Sequence, residues 1–268
     1  MQKDYKTRIT SQTASETEEI EIFWTNIWKD VDFQVPELEM VRNSEEYRGI
    51  APYLKILPEG ARILDGGCGL GHWTLFLEQQ KFKPTGLDLS KDAIGKLQEL
   101  FPQSDFMHGD IRSLDCSDNS YDAYLSWGTF EHFENGMAEV VDEALRVLKP
   151  GGLLFITVPF DNIRHVIRRN GKPTTPASVM TAPQIFYQWR FTRKELRDEL
   201  VSRGFEVMSI KPLSMHEGVS RMVALDLRIP TNGGFGAYLA VALSKILPKV
   251  AFAHMQLAIA RKPNKPAS

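Results

Sequence analysis

Residues 63–71 read Ile-Leu-Asp-Gly-Gly-Cys-Gly-Leu-Gly, so two apolar residues and an acid run straight into a glycine-rich bend. The run begins at Ala61, and a helical pattern follows from Trp73 to Gln80. Glycine allows a tight turn and lets a ligand reach the backbone without a Cβ in the way. Outward from this unit the pattern repeats. Short apolar runs at 84–89, 105–108, 121–126 and 153–158 alternate with helical stretches at 90–101 and 137–148. Thr192 then opens a helix with Glu195 closing a capping box, followed by Gly204 and an apolar run over 205–210. Alternation of this kind predicts an α/β fold, a doubly wound and mostly parallel sheet covered on both faces. Ligands of such sheets bind outside the carboxyl ends of the strands, so the residues just after each run carry the interest.

Three of those residues are acids. Asp65 ends the first run, Asp88 ends the second 21 residues after Gly67, and Asp110 follows the third in His-Gly-Asp-Ile. A carboxylate at Asp88 can accept hydrogen bonds from ribose hydroxyls. Each acid can also be read as a turn or cap residue, and Asp88 does precede a helix opened by Ser90. A dinucleotide fingerprint needs glycine at position 72, which is His72, and Asp65 is a poor neighbour for pyrophosphate. The loop suits a cationic or amine-bearing ligand better.

The segments ILDGGCGLG (63–71), GLDLS (86–90), HGDI (108–111), YDAYLSWGTFEHF (121–133) and LRVLKPGGLLFITVP (145–159) together resemble the class I S-adenosylmethionine-dependent methyltransferases of small-molecule type. The resemblance covers residues 61–159. It implies a Rossmann-like seven-stranded sheet with a final antiparallel hairpin, its last strand at 254–261. It implies S-adenosylmethionine as cofactor, held by Asp65, Gly66, Gly67, Cys68, Gly69, Gly71, Asp88, Leu89, Asp110, Ile111, Ser126 and Trp127. Within that set Asp65 would lie near the methionyl amine, Asp88 at the ribose, Leu89, Asp110 and Ile111 at the adenine, and Ser126 and Trp127 under the sulfonium. Glu131 and His132 would face the acceptor at the start of the next helix, as catalytic candidates. Residues 1–56 then read as an N-terminal helical cap. Residues 57–268 read as the methyltransferase domain, with acceptor-side insertions at about 160–190 and 211–253.

A sulfonium donor is already activated, so the protein mainly aligns donor and acceptor. A hydroxyl acceptor needs a base, and His132 has the right intrinsic pKa, about 6.5. The same side chain can equally pin a helix start. Ser126-Trp127-Gly128-Thr129 lacks the Pro-Pro motif of base-amine methyltransferases, and neither cysteine follows a proline. No acid occupies position 126, so no metal is expected. The acceptor is expected to be a small molecule, O- or N-linked, anionic or glycan- or lipid-linked, and no nucleic acid partner is expected. Candidate acceptor contacts are Trp24, Trp28, Tyr47 and Arg48, with Arg164 and Arg168 one helical turn apart to hold a phosphate or carboxylate. A cofactor-binding protein without turnover and a nicotinamide oxidoreductase remain as alternatives.

Composition fits these readings. The 268 residues carry net charge −2, but residues 161–268 hold 17 Lys and Arg against 7 Asp and Glu. Such asymmetry points the last third at something anionic, or reflects solvated helix faces. Cys68 and Cys116 show no paired spacing, so a reducing, cytoplasmic setting is expected. The polar residues 1–19 are expected to fray and show no leader-like apolar run. Residues 20–27 place Ile20, Phe23, Trp24 and Ile27 on one helical face. The apolar helix 233–247 is too short to span a bilayer, which needs roughly 20 residues. It is expected to pack over the sheet, with peripheral membrane contact as the other reading.

Overall fold

The computed structural model describes residues 1–7, 15–29, 38–171 and 184–264. In chain order the elements are β1 (Gln2–Thr7), α1 (Glu16–Lys29), α2 (Leu38–Arg42), α3 (Glu45–Leu54), β2 (Arg62–Gly66), α4 (His72–Gln79), β3 (Lys83–Asp88), α5 (Lys91–Leu100), β4 (Asp105–His108) and β5 (Tyr121–Trp127). A short 3-10 helix (Phe130–His132), α6 (Ala138–Val147), β6 (Leu148–Pro159), α7 (Ile163–Gly171), β7 (Gln184–Arg190), α8 (Arg193–Ser202), β8 (Glu206–Leu213), α9 (Met215–Leu225), α10 (Gly234–Ile246), α11 (Lys249–Phe252) and β9 (Met255–Arg261) complete it.

Seven strands form one sheet in the order β4-β3-β2-β5-β6-β9-β8. The first five are parallel, and β9 runs antiparallel between β6 and β8. Strand residues alternate between two cores, as the pleat requires. Leu64, Leu154 and Ile156 join α6 and α8 on one face, while Ile63, Leu153 and Phe155 join α3 and α4 on the other. Phe155 is fully buried, and truncating it to alanine would cost about 3–5 kcal/mol.

Ser90 opens α5 and Thr192 and Glu195 complete their box on α8, as the sequence predicts. Ser44 caps α3 in the same way, its Oγ accepting from Tyr47 N at 2.9 Å. Three expectations fail. Residues 2–7 do not fray: they pair antiparallel with β7, tied by an ion pair from Asp4 to Arg190 at 2.6 Å. Ile27 stands exposed at the far end of α1. The 233–247 helix packs chiefly on α9 rather than on the sheet, through Leu239, Ala240, Leu243 and Leu247. Its glycines and alanines make only one side tight enough for burial, and the other faces outward.

Candidate functional site

A cavity of about 420 Å³ opens over the carboxyl ends of β2 to β5. Its walls include Asp65, Gly67, Cys68, Gly69, His72, Asp88, Leu89, Asp110, Ile111, Trp127 and His132. From above, α1 closes it with Ile20, Trp24 and Trp28. Acids at the ends of three adjacent strands thus meet at one rim, and among the described residues no lysine or arginine lines the cavity.

The glycine bend is built by close approach. Gly67 has φ +79°, and a Cβ there would stand 2.4 Å from Thr129 Oγ1. The backbone N–H groups of Gly67 and Cys68 both donate to Leu87 O, which folds the loop back against β3. Asp88 fixes the rest: its carboxylate accepts from Gly69 N at 2.9 Å and from Ser90 N at 2.8 Å. Burial pushes its pKa up, and those two bonds oppose the shift. Asp65 accepts a bond from Thr74 Oγ1 at 2.8 Å. Burial pushes its pKa to about 7, since a carboxylate loses most of its hydration there. Burial pushes the Cys68 thiol up as well.

Asp110 is held by a partner the sequence reading missed. Arg112 Nη2 donates to its carboxylate at 2.7 Å and to Thr17 of α1, while Nη1 donates to Glu16 of the same helix. The guanidinium rests over Phe133, 4.6 Å from the ring centroid. Arg112 therefore fastens α1 over the cavity, together with a bond between Thr25 and Ser90. An arginine two residues after an acid was the available signal, but its partners lie more than 90 residues away.

His132 lines this cavity and a second one of about 350 Å³, which shares Ile20 and Trp24 and adds Lys6, Phe23, Ile185 and Tyr187. Burial lowers the His132 pKa to about 4, with the carbonyls of Tyr187 and Gly128 partly offsetting it. Burial lowers Lys6 to about 8. Glu131 turns away from both cavities. It is buried, Oε2 has no partner among the described residues, and burial pushes its pKa to about 8.

The remaining expected site residues lie elsewhere. The Ser126 hydroxyl donates to Gly66 O at 2.6 Å within the sheet and does not line the cavity. Gly66 and Gly71 serve packing: a Cβ on them would strike Tyr124 and Phe106. Tyr47 packs against Trp73 and Phe76 in the core, and Arg48 donates to Asn43 O. Arg164 is paired with Asp226 at 2.6 Å. The Arg168 side chain falls outside the described residues.

S-adenosylmethionine, with a sulfonium, an ammonium and ribose hydroxyls to donate, fits an acid-rimmed cavity with an apolar wall. A pyrophosphate would meet Asp65 and Asp88 and, among the described residues, no lysine or arginine.

A seven-stranded sheet in this order, with one inner antiparallel strand, is a Rossmann-like fold that the chain shares with solved methyltransferase structures. Residues 63–152 match the family described as a methyltransferase domain. A probable S-adenosylmethionine-dependent methyltransferase of Mycolicibacterium smegmatis is 28% identical over 148 residues, 55% of this chain and 53% of that protein. The chain spans about half the length of the curated relatives it matches. A chain from the complex of the Haloferax volcanii Trm112 methyltransferase activator and a methyltransferase superposes with TM-score 0.61 at 18% identity, over 95% of this chain and 100% of that one. A crystallised cyclase superposes with TM-score 0.59 at 19% identity, over 96% and 100%. Likeness at that level shows the shared fold, and the fold alone does not set the reaction.

Proposed function

We propose that the chain moves a methyl group from S-adenosylmethionine to the O or N atom of a small or medium-sized acceptor entering beneath α1. The meeting of Asp65, Asp88 and Asp110 at one cavity, which no lysine or arginine lines among the described residues, carries this reading. Bound S-adenosylmethionine supplies a methyl group already activated for displacement. Asp65 attracts the ammonium, and Asp88 holds ribose hydroxyls with the lone pairs its backbone bonds leave over. Asp110 and Ile111 flank the adenine with Leu89.

Trp24, Trp28, Trp127 and Phe133 exclude water and orient the acceptor. His132 lies at the joint of both cavities, where its neutral ring accepts a hydrogen bond from a hydroxyl acceptor and orients it; the burial that disfavours its protonated form works against its carrying the proton away. The aromatic wall favours an acceptor with an apolar or aromatic body.

Calorimetry with S-adenosylmethionine, S-adenosylhomocysteine and NAD tests the cofactor. Binding of both sulfur compounds and not NAD is expected, and the reverse overturns the reading. Transfer of labelled methyl into a metabolite extract tests turnover. Binding without transfer would assign a non-catalytic role.

A further inference from the structure

The outer side of α10 is apolar where a surface helix is normally charged. Phe235, Tyr238, Val241 and Ile246 are 69%, 73%, 42% and 76% exposed. Their spacing of three to five residues puts them on one stripe, opposite the residues that pack on Val219 and Val223 of α9. Seven of the nineteen large apolar side chains exposed among the described residues fall between Leu225 and Val250. Isolated exposed apolar residues need no explanation, but a stripe of this density does.

The charge on the same segment is one-sided. From Leu227 to Ser268 the sequence holds six Lys and Arg and no Asp or Glu. Arg228, Lys245 and Lys249 are exposed, and Lys245 lies on the apolar stripe itself. Cations beside exposed Phe, Tyr and Ile complement a surface that is anionic above and apolar below. A second copy fits less well, because Lys245 and Lys249 would face their own counterparts with no acid on the face to pair them. No helix among the described residues is long and apolar enough to cross a membrane, so the contact is one of lying on the surface.

We propose that α10 and the turn before it seat the protein on an anionic lipid surface, with Phe235, Tyr238 and Ile246 in the interface and Arg228, Lys245 and Lys249 against the headgroups. This inference does not depend on the methyl-transfer reading.

Co-sedimentation of the full chain with vesicles tests it, using phosphatidylcholine alone and phosphatidylcholine mixed with phosphatidylglycerol. Binding is expected to the mixed vesicles only and to weaken as salt is raised. Lys245→Glu with Lys249→Glu is expected to lower it by roughly tenfold or more, and Phe235→Ser with Ile246→Ser by a similar factor. These side chains are exposed, so unchanged melting temperatures will show that the variants fold. No binding to either vesicle, or binding untouched by both pairs of substitutions, overturns the proposal. So does a dimer in analytical ultracentrifugation that Phe235→Ser with Ile246→Ser dissociates, which would assign the face to a second copy.

Discussion

His132 Nδ1 lies 2.7 Å from the carbonyl oxygen of Tyr187. A carbonyl can only accept, so the ring proton sits on Nδ1 and Nε2 keeps its lone pair. With the ring held neutral down to about pH 4 it orients a hydroxyl acceptor rather than taking its proton, and His132→Ala is expected to lower kcat for such an acceptor by roughly tenfold, the scale of one lost hydrogen bond, with KM for the donor little changed. At saturating donor, wild-type kcat should stay flat between pH 6 and 8. A limb near the ordinary histidine value of about 6.5 would contradict this environment. The same depression costs folding stability as pH falls from 6.5 towards 4, because the unfolded ring binds a proton that the folded one refuses.

Asp65 predicts the opposite slope for donor binding. Its carboxyl loses its proton around pH 7, and only the ionised form attracts an ammonium. The Kd for S-adenosylmethionine is expected to fall about tenfold from pH 6 to pH 8, and Asp65→Asn to flatten that dependence, both read by calorimetry. In the free protein the raised value weakens folding as pH rises from 3.8 towards 7, since the folded carboxyl retains its proton longer.

Asp88→Asn sets an amide NH₂ where two backbone N–H groups, of Gly69 and Ser90, now donate. One of them loses its acceptor, and the loop behind the cofactor loosens. Donor affinity is expected to fall by about 1.5–3 kcal/mol, roughly 10- to 150-fold, measured by titration on a variant that still melts cooperatively.

Gly67→Ala combines a left-handed backbone with a clash on Thr129. A cost of about 2–4 kcal/mol in denaturant unfolding is expected. Adding Thr129→Ala should recover part of it, and no recovery would assign the loss to backbone strain alone.

Tyr124→Phe tests the core beneath the bend. The Tyr124 hydroxyl is buried without a partner among the described residues. Its removal is expected to leave the protein as stable or about 1 kcal/mol more stable, with donor affinity unchanged.

Local chemistry was legible in the sequence where it acts over a few residues. Ser44, Ser90 and Thr192 cap helices whose starts can be read from the chain, and buried parallel strands announce themselves as apolar runs. Asp65, Asp88 and Asp110 could be placed at one rim because strand ends in a parallel sheet share a side. Pairings across the chain stayed hidden. The polar strand Gln2–Thr7 has no apolar rhythm, and its partner begins at Gln184. Arg112 is ordinary in sequence until α1 supplies Glu16 and Thr17. Tyr47 looked like a pocket residue because composition does not reveal that α3 turns it onto Trp73 and Phe76. The uniform apolarity of 233–247 concealed its orientation, because small residues mark the buried side as surely as large ones.

The position of β9 between β6 and β8 has a consequence for biosynthesis. On a chain emerging from the ribosome, β8 is complete long before residue 255 and has no neighbour to pair with until then. Its exposed edge, Glu206–Leu213, must wait in a nascent chain whose other five parallel strands can already assemble. Closure of the sheet therefore waits for residues 255–261, and a translational stall shortly before residue 255 would leave an unpaired strand open to aggregation.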